Sequence, residues 1–247
     1  MEGKQLSFLS ETEWVKLISP EFSRQKNRAE WHLRKTRLGA IRAVLNDGLE
    51  MTDDGFPTIT PYFGYPECPL IGFNEALRSQ EYDYWVQWFV DDVCFEQIWN
   101  PKYTERDLAI LSRFRGSFTP DFTLWPNLSP IQEQFNIFRS RTIGQKLQRL
   151  DVPVIPTVGW STRRSFDYFI SGLSEGGTVA ISTNGVLKRL VSQRLFREGV
   201  FEIERKLKSE IIVIYGEKME LKTKARQIWI PNNNIVKLRS LSDISKK

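Results

Sequence analysis

Six short apolar runs mark the middle and C-terminal parts of this chain, and helix-like stretches separate most of them. The runs are "YWVQWFVDD", "GSFTPDF", "VPVIPTVGW", "GTVAIST", "EIIVIYG" and "RQIWIP". Between them lie "VCFEQIWN" with "TERDLAILSRFR", the long "PIQEQFNIFRSRTIGQKLQRL", "RRSFDYFISGL" and "LKRLVSQRLFREGVFEIERKLK". Strands alternating with helices predict parallel βαβ units with right-handed crossovers. The near-continuous apolar cores "TVAI" and "IIVI" suit strands covered on both faces. With one more strand at "FPTIT" the count approaches that of a (β/α) barrel. The expected fold is therefore α/β: a parallel sheet of repeated βα units, barrel-like or an incomplete (β/α) barrel. An open doubly wound sheet is the alternative.

Ahead of this rhythm, residues 1–50 read as an N-terminal helical segment, leaving 51–247 for the α/β domain. "SETEWVKLI" opens with a Ser10-x-x-Glu13 capping box, and "RAEWHLRKTRLGAIRAVLNDG" keeps helical spacing up to the stop at Asn46-Asp47-Gly48. Arg34, Lys35, Arg37 and Arg42 give that helix a basic face. "DDGFPTITPYFGYPECP", punctuated by four prolines, reads as a loop around a short strand, and seven aromatics between Phe56 and Tyr84 imply that it is packed.

At 40% hydrophobic and 13% aromatic residues the chain can build a sizeable core. No apolar run approaches the roughly 18 residues of a spanning helix, and the N-terminus lacks the pattern of a signal peptide. Cys68 and Cys94 suit reduced thiols better than a disulfide framework. A soluble protein of the cytoplasm is expected, the host's if the protein is viral. The net charge of +5 is uneven: residues 1–50, 51–121 and 122–247 carry +2, −7 and +10. The basic C-terminal part suits DNA or RNA as a partner, with Lys188, Arg189, Arg194 and Arg197 as candidate contacts; the other reading is a solvated basic surface.

Several chemistries are excluded. There is no G-x-G-x-x-G and no G-x-x-x-x-G-K-[ST], so dinucleotide and P-loop sites are not expected. The single histidine, His32, lies far in sequence from the strand ends, and two cysteines without a C-x-x-C build no ordinary zinc site. A Ser-His-Asp triad would need His32 and lacks G-x-S-x-G. Carboxylate chemistry remains, with or without Mg²⁺, or no chemistry at all.

In parallel α/β folds the functional end is the C-terminal edge of the strands. That edge holds Asp91 and Asp92, Asp121, Trp160 with Ser161, Ser182-Thr183-Asn184, and Tyr215-Gly216-Glu217. Each has a structural alternative: helix capping for Asp91 or Asp92 and for residues 182–184, an Asx turn for Asp121, core packing for Trp160. On the long helix, Ile131, Phe135, Phe138 and Thr142 share a face assigned to the sheet, bordered by Arg141 and Gln145. An Arg in that position calls for a carboxylate, Asp121 being the candidate, or an anionic ligand. The candidate catalytic residues are thus Asp121, as general base or metal ligand, and Asp92. Arg141, Gln145, Trp160 (as a stacking surface), Ser182, Thr183, Asn184 and Tyr215 are candidates for substrate binding.

"SFTPDFTLW", "VPVIPTVGW", "FDYFISGLSEGGTVAISTNG" and "EIIVIYG", in this order, resemble the domain-of-unknown-function family 4417, over roughly residues 80–232. Asp92, Asp121, Arg141, Trp160, Ser182, Thr183, Gly185 and Tyr215 match the family pattern. The resemblance implies an origin in phages, plasmids or integrated elements and gives the polyanion reading weight, but implies no particular activity. The expected function is a carboxylate-dependent hydrolase or transferase acting on a nucleotide, nucleic acid or sugar-phosphate. The alternatives are a non-catalytic DNA- or RNA-binding accessory of a mobile element, and an inhibitor of a host protein.

Overall fold

The computed structural model describes residues 42–232. The capping box at Ser10 and Glu13, most of the expected N-terminal helix, His32, and the basic positions Arg34, Lys35 and Arg37 lie outside those residues. Among the described residues, seven strands follow one another: β1 (Leu70–Gly72), β2 (Trp85–Gln87), β3 (Gly116–Phe118), β4 (Val154–Ile155), β5 (Val179–Ser182), β6 (Ile211–Tyr215) and β7 (Arg226–Ile230). Every ladder is parallel and runs in chain order, β1-β2-β3-β4 in one sheet and β5-β6-β7 in another. The sheets meet just beyond β4, where Thr157 bridges Ala180 and Val158 N–H donates to Ala180 O at 2.9 Å.

Within neither sheet does the order reverse, whereas a doubly wound sheet turns back at a switch point. Same-handed crossovers collect the helices on one side and let the sheet curl. The curl is visible in the rings. Phe89, just past β2, stacks on Tyr215 at the end of β6, with ring centres 5.1 Å apart and planes 17° apart. In a flat sheet two strands four places apart would stand roughly 19 Å from each other. Phe89 also touches Phe118, which touches Trp85, which touches Tyr62, so an aromatic column fills the inside of the curl. Burying a ring such as Phe118, fully hidden, stabilises the fold by roughly 1.5–3 kcal/mol. No ladder among the described residues joins β7 to β1, so the curled sheets do not close.

The outer face packs on helices. Of the helices α1 (Phe73–Ala76), α2 (Pro101–Leu111), α3 (Pro130–Gln148) and α4 (Leu190–Leu207), the last lays Phe196, Val200, Ile203 and Leu207 on Val179, Ile181, Ile212 and Ile214. Gly199 lets it come close: a Cβ there would lie 2.2 Å from the Trp160 ring. The proline-rich segment closes the other end of the curl. Tyr62 O accepts Thr178 N–H at 2.7 Å, Gly64 O accepts the Thr178 hydroxyl at 2.7 Å, and Ile59 bridges Leu173. Two expected helices are shorter. "VCFEQIWN" forms two 3-10 turns, Asp92–Cys94 and Glu96–Trp99, broken where Phe95 is drawn into the core against Trp88 and Phe122. "RRSFDYFISGL" holds one 3-10 turn, Arg163–Asp167.

Helix α3 overturns one expectation. It starts as the sequence dictates, with Pro130 at its first position and a capping box between Ser129 and Gln132. Yet Ile131 is 79% exposed and Phe135 47% exposed, so the first half of their stripe does not face the sheet, although Thr142 at its end is fully buried. Phe135 and Phe138 instead meet Trp99 edge-on. The stripe turned inward is polar: Glu133, Ser140, Arg141 and Gln145 are buried with Ile137 and Gly144. The reason lies in what α3 covers. The chain beyond β3 and β4 presents buried hydroxyls and carbonyls that need partners, and a polar helix face supplies them. Gly144 permits the approach, since a Cβ there would sit 2.5 Å from Thr119 Cγ2.

Arg141 is the centre of that face. Only 1% exposed, it donates from Nε to Ser171 O (3.0 Å), from Nη1 to Thr157 O (2.9 Å) and from Nη2 to Phe169 O (3.1 Å). Burial pulls its pKa from the usual 12.5 to about 9, which leaves it charged at neutral pH. Replacing it strands three carbonyls, so Arg141→Met is expected to lower the unfolding free energy by about 2–4 kcal/mol. Arg141→Lys should recover only part, because the three donors of an ammonium radiate from one atom and cannot span carbonyls that Arg141 reaches with three separate nitrogens. Urea unfolding midpoints of the three proteins measure this; an unchanged midpoint for Arg141→Met would show that the carbonyls have other partners.

Candidate functional site

After β3 the chain keeps the ladder for one more residue, Thr119 N–H to Ile155 O at 3.2 Å, and then turns outward at Pro120. The floor beneath the turn is a hydroxyl network. Thr119 Oγ1 accepts Ser140 Oγ (2.9 Å) and Thr157 N–H (2.9 Å), and shares a hydrogen bond with Thr157 Oγ1 (2.8 Å). Beyond the turn, Thr123 is held three ways. Asp92 accepts its N–H at 3.0 Å and its hydroxyl at 2.7 Å, and Asn136 Nδ2 donates to its carbonyl at 2.8 Å. Phe122 is buried under the Arg139 guanidinium, 3.8 Å from the ring centre, and Arg139 forks to both oxygens of Glu96.

Between these fixed neighbours, Asp121 makes no hydrogen bond and no ion pair among the described residues. The Asx turn offered as its structural alternative is not formed. Gly159 backs it: a Cβ there would lie 3.6 Å from Oδ1. Its half-buried carboxyl is pushed up from 3.8 to about 7, first by burial and second by the charge of Asp92. Beside it lies a cavity of about 20 Å³ lined by Asp121, Ser140, Arg141, Thr157 and Gly159. That is room for about one water among polar partners.

Most of the other residues singled out by sequence are engaged elsewhere. Asp91 caps the 3-10 turn, accepting Val93 N–H at 3.3 Å. Arg141 lines the cavity but forms no ion pair with Asp121; its donors go to carbonyls. Gln145 is far from the rim, pinning the chain at Glu50 and Thr58 through four hydrogen bonds. Trp160 is wedged among Phe166, Phe169, Phe196 and Gly199, so its ring faces are taken up in packing. Ser182 Oγ accepts Asn184 N–H, and Thr183 Oγ1 donates to Glu217 O. Asn184 and Tyr215 meet at Asn232, which bonds Asn184 Oδ1 at 3.0 Å and Tyr215 OH at 3.2 Å, a second polar group on the same rim. Lys188, Arg189, Arg194 and Arg197 are exposed; the first two lie on the loop from β5 to α4.

Sequence reasoning missed a buried carboxylate. Glu133, fully hidden in the first turn of α3, accepts the Ser161 hydroxyl (2.5 Å), Arg164 Nη2 (3.1 Å) and the Tyr168 phenol. Its signal was present: Glu133, Ile137, Ser140 and Gly144 recur at helical spacing as one face. Trp125, on the loop leaving Asp121, is 60% exposed, and nothing in its neighbourhood signals that. No three His, Cys, Asp or Glu side chains converge among the described residues, and Asp92 gives both oxygens to Thr123.

The family described as "Domain of unknown function (DUF4417)" matches residues 55–231. The chain is 36% identical over 132 residues to the "Gene 1 protein" of Mycobacterium phage L5, covering 53% of this chain and 57% of that protein. It is 35% identical over 131 residues to the "Gene 1 protein" of Mycobacterium phage D29, covering 53% and 48%. The match thus spans about half the length of these curated relatives. No solved structure matches the chain.

The raised pKa of Asp121 has a consequence for stability. Its folded value of about 7 lies above the unfolded 3.8, so the ionised form is disfavoured in the fold. Its contribution to stability is complete below about pH 4 and is lost as the pH rises through 7. Asp121→Asn removes that loss. The stability of the variant relative to wild type should rise by on the order of 2 kcal/mol between pH 4.5 and 8, allowing for solvent at the carboxyl's edge. Urea melts across that range measure it, and a difference flat with pH would contradict the assignment.

Proposed function

The chain belongs to the DUF4417 family, and on that premise, with relatives in phages, we propose that it is a hydrolase of an anionic, phosphate-bearing substrate with Asp121 as general base. One observation carries the reading: an unpartnered carboxylate with a pKa near neutrality lines a water-sized cavity, walled by polar and apolar side chains alike, at the C-terminal rim of a parallel sheet. At neutral pH about half of such a carboxylate is ionised, which suits proton abstraction from a water. Asp92 supports it twice, by fixing Thr123 and by adding the negative charge that keeps Asp121 basic. Lys188 and Arg189 form no ion pair among the described residues and stand on a rim loop, where they favour an anion. Proton transfer by Asp121 needs no metal.

A non-catalytic nucleic-acid binder is the second reading. It is favoured by Arg194 and Arg197, which continue the exposed cations of Lys188 and Arg189 onto α4.

Hydrolysis of end-labelled single-stranded oligonucleotides and of nucleoside triphosphates separates the two. Under the first reading turnover rises with pH to a plateau above about 7, and Asp121→Asn lowers it by at least about 10²-fold at an unchanged fold. Binding without turnover in wild type, or full turnover in Asp121→Asn, would overturn the hydrolase.

A further inference from the structure

Trp125 and Arg164 stand on opposite sides of one tight turn of the rim. Leu128 N–H closes the turn on Trp125 O at 3.0 Å, and Leu128 O accepts Arg164 Nη2 at 2.9 Å. Trp125 is 60% exposed, four residues beyond Asp121 on the same loop, whereas Phe122 on that loop is buried. The Arg164 side chain keeps 43% of its surface open although it is anchored to the fully buried Glu133. Nη2 holds Leu128 and Glu133 and the guanidinium also hydrogen-bonds Tyr168, so the part offered to a ligand is the edge that stays open to solvent. An exposed indole and an anchored, half-open guanidinium, both tied to the turn at Leu128, offer two different contacts, one for a flat ring and one for an anion.

We propose that Trp125 and Arg164 form a subsite for a nucleobase and its phosphate, which makes single-stranded nucleic acid the substrate class delivered to Asp121. Stacking on an indole accepts any base, because every base has a π-face. A guanidinium fork matches a phosphate in geometry as well as charge. The strand is single because a paired base hides both faces in the helical stack. Lys188 and Arg189, exposed on the loop after β5, add two cations at the C-terminal end of the strands. The proposal rests on the hydrolase reading for where the strand goes, but binding and turnover are separate readouts. Loss of one without the other shows which idea has failed.

The test is fluorescence anisotropy of a labelled oligothymidylate of about 12 nucleotides near 50 mM salt, where phosphate contacts are strongest. Wild type is expected to bind it at least about tenfold more tightly than an abasic strand of equal length, a duplex, or thymidine monophosphate. Trp125→Ala should weaken binding by about tenfold or more, with Trp125→Phe keeping most of the affinity. Arg164→Lys should weaken it, because an ammonium does not reproduce the planar fork of the guanidinium. Because Trp125 is exposed, its variants should keep the wild-type urea midpoint. Equal affinity of Trp125→Ala and wild type, equal binding of the abasic strand, competition by the monophosphate as strong as by the strand, or no binding at this salt would each overturn the subsite.

Discussion

Three hydrogen bonds from one buried guanidinium organise this end of the molecule. Arg141 ties the chain beyond β4, through Thr157, and the turn at Phe169–Ser171 to helix α3. Taking a cation out of water costs several kcal/mol, and no carboxylate offsets it here; the dipoles of the three carbonyls do. That choice of partners decides what Asp121 becomes. Had the guanidinium paired with it, the acid would be held ionised and inert as a base. With the donors of Arg141 committed to carbonyls, Asp121 lines the same cavity without a counter-ion, and its acidity is set by burial and by Asp92 instead.

Asp92 shows how two carboxylates in one region take different roles. Both its oxygens receive hydrogen bonds from Thr123, which fixes the loop. Asp121 receives none, so the neighbouring charge acts on it as an unrelieved repulsion. One carboxylate is thus spent on structure, and the other is left without a hydrogen-bond partner at the rim.

Much of the architecture was legible because it depends on periodicity. The apolar runs ending at Phe118, Ser182 and Tyr215 marked buried parallel strands, and their ends marked the rim where Asp121 lies. The faces of α3 were not legible. Apolar spacing nominated Ile131 and Phe135 for the sheet, but the strands end there in hydroxyls and carbonyls, and satisfying those outweighed burying two more side chains. The same demand made Gln145 a pin for Glu50 and Thr58 and drew Glu133 inside. Of the two rim tryptophans, sequence pointed to Trp160. Which indole packs and which stays open depends on the close approach of Gly199 and on the turn at Leu128, contacts between distant segments that no local pattern encodes.

Carbon-detected NMR titration of the Asp121 side-chain carboxyl, assigned by comparison with Asp121→Asn, tests the central claim most directly. The account predicts a single inflection near pH 7 that moves down in Asp92→Asn, where the neighbouring charge is gone. An inflection at about pH 4, the ordinary value for an exposed aspartate, would contradict it.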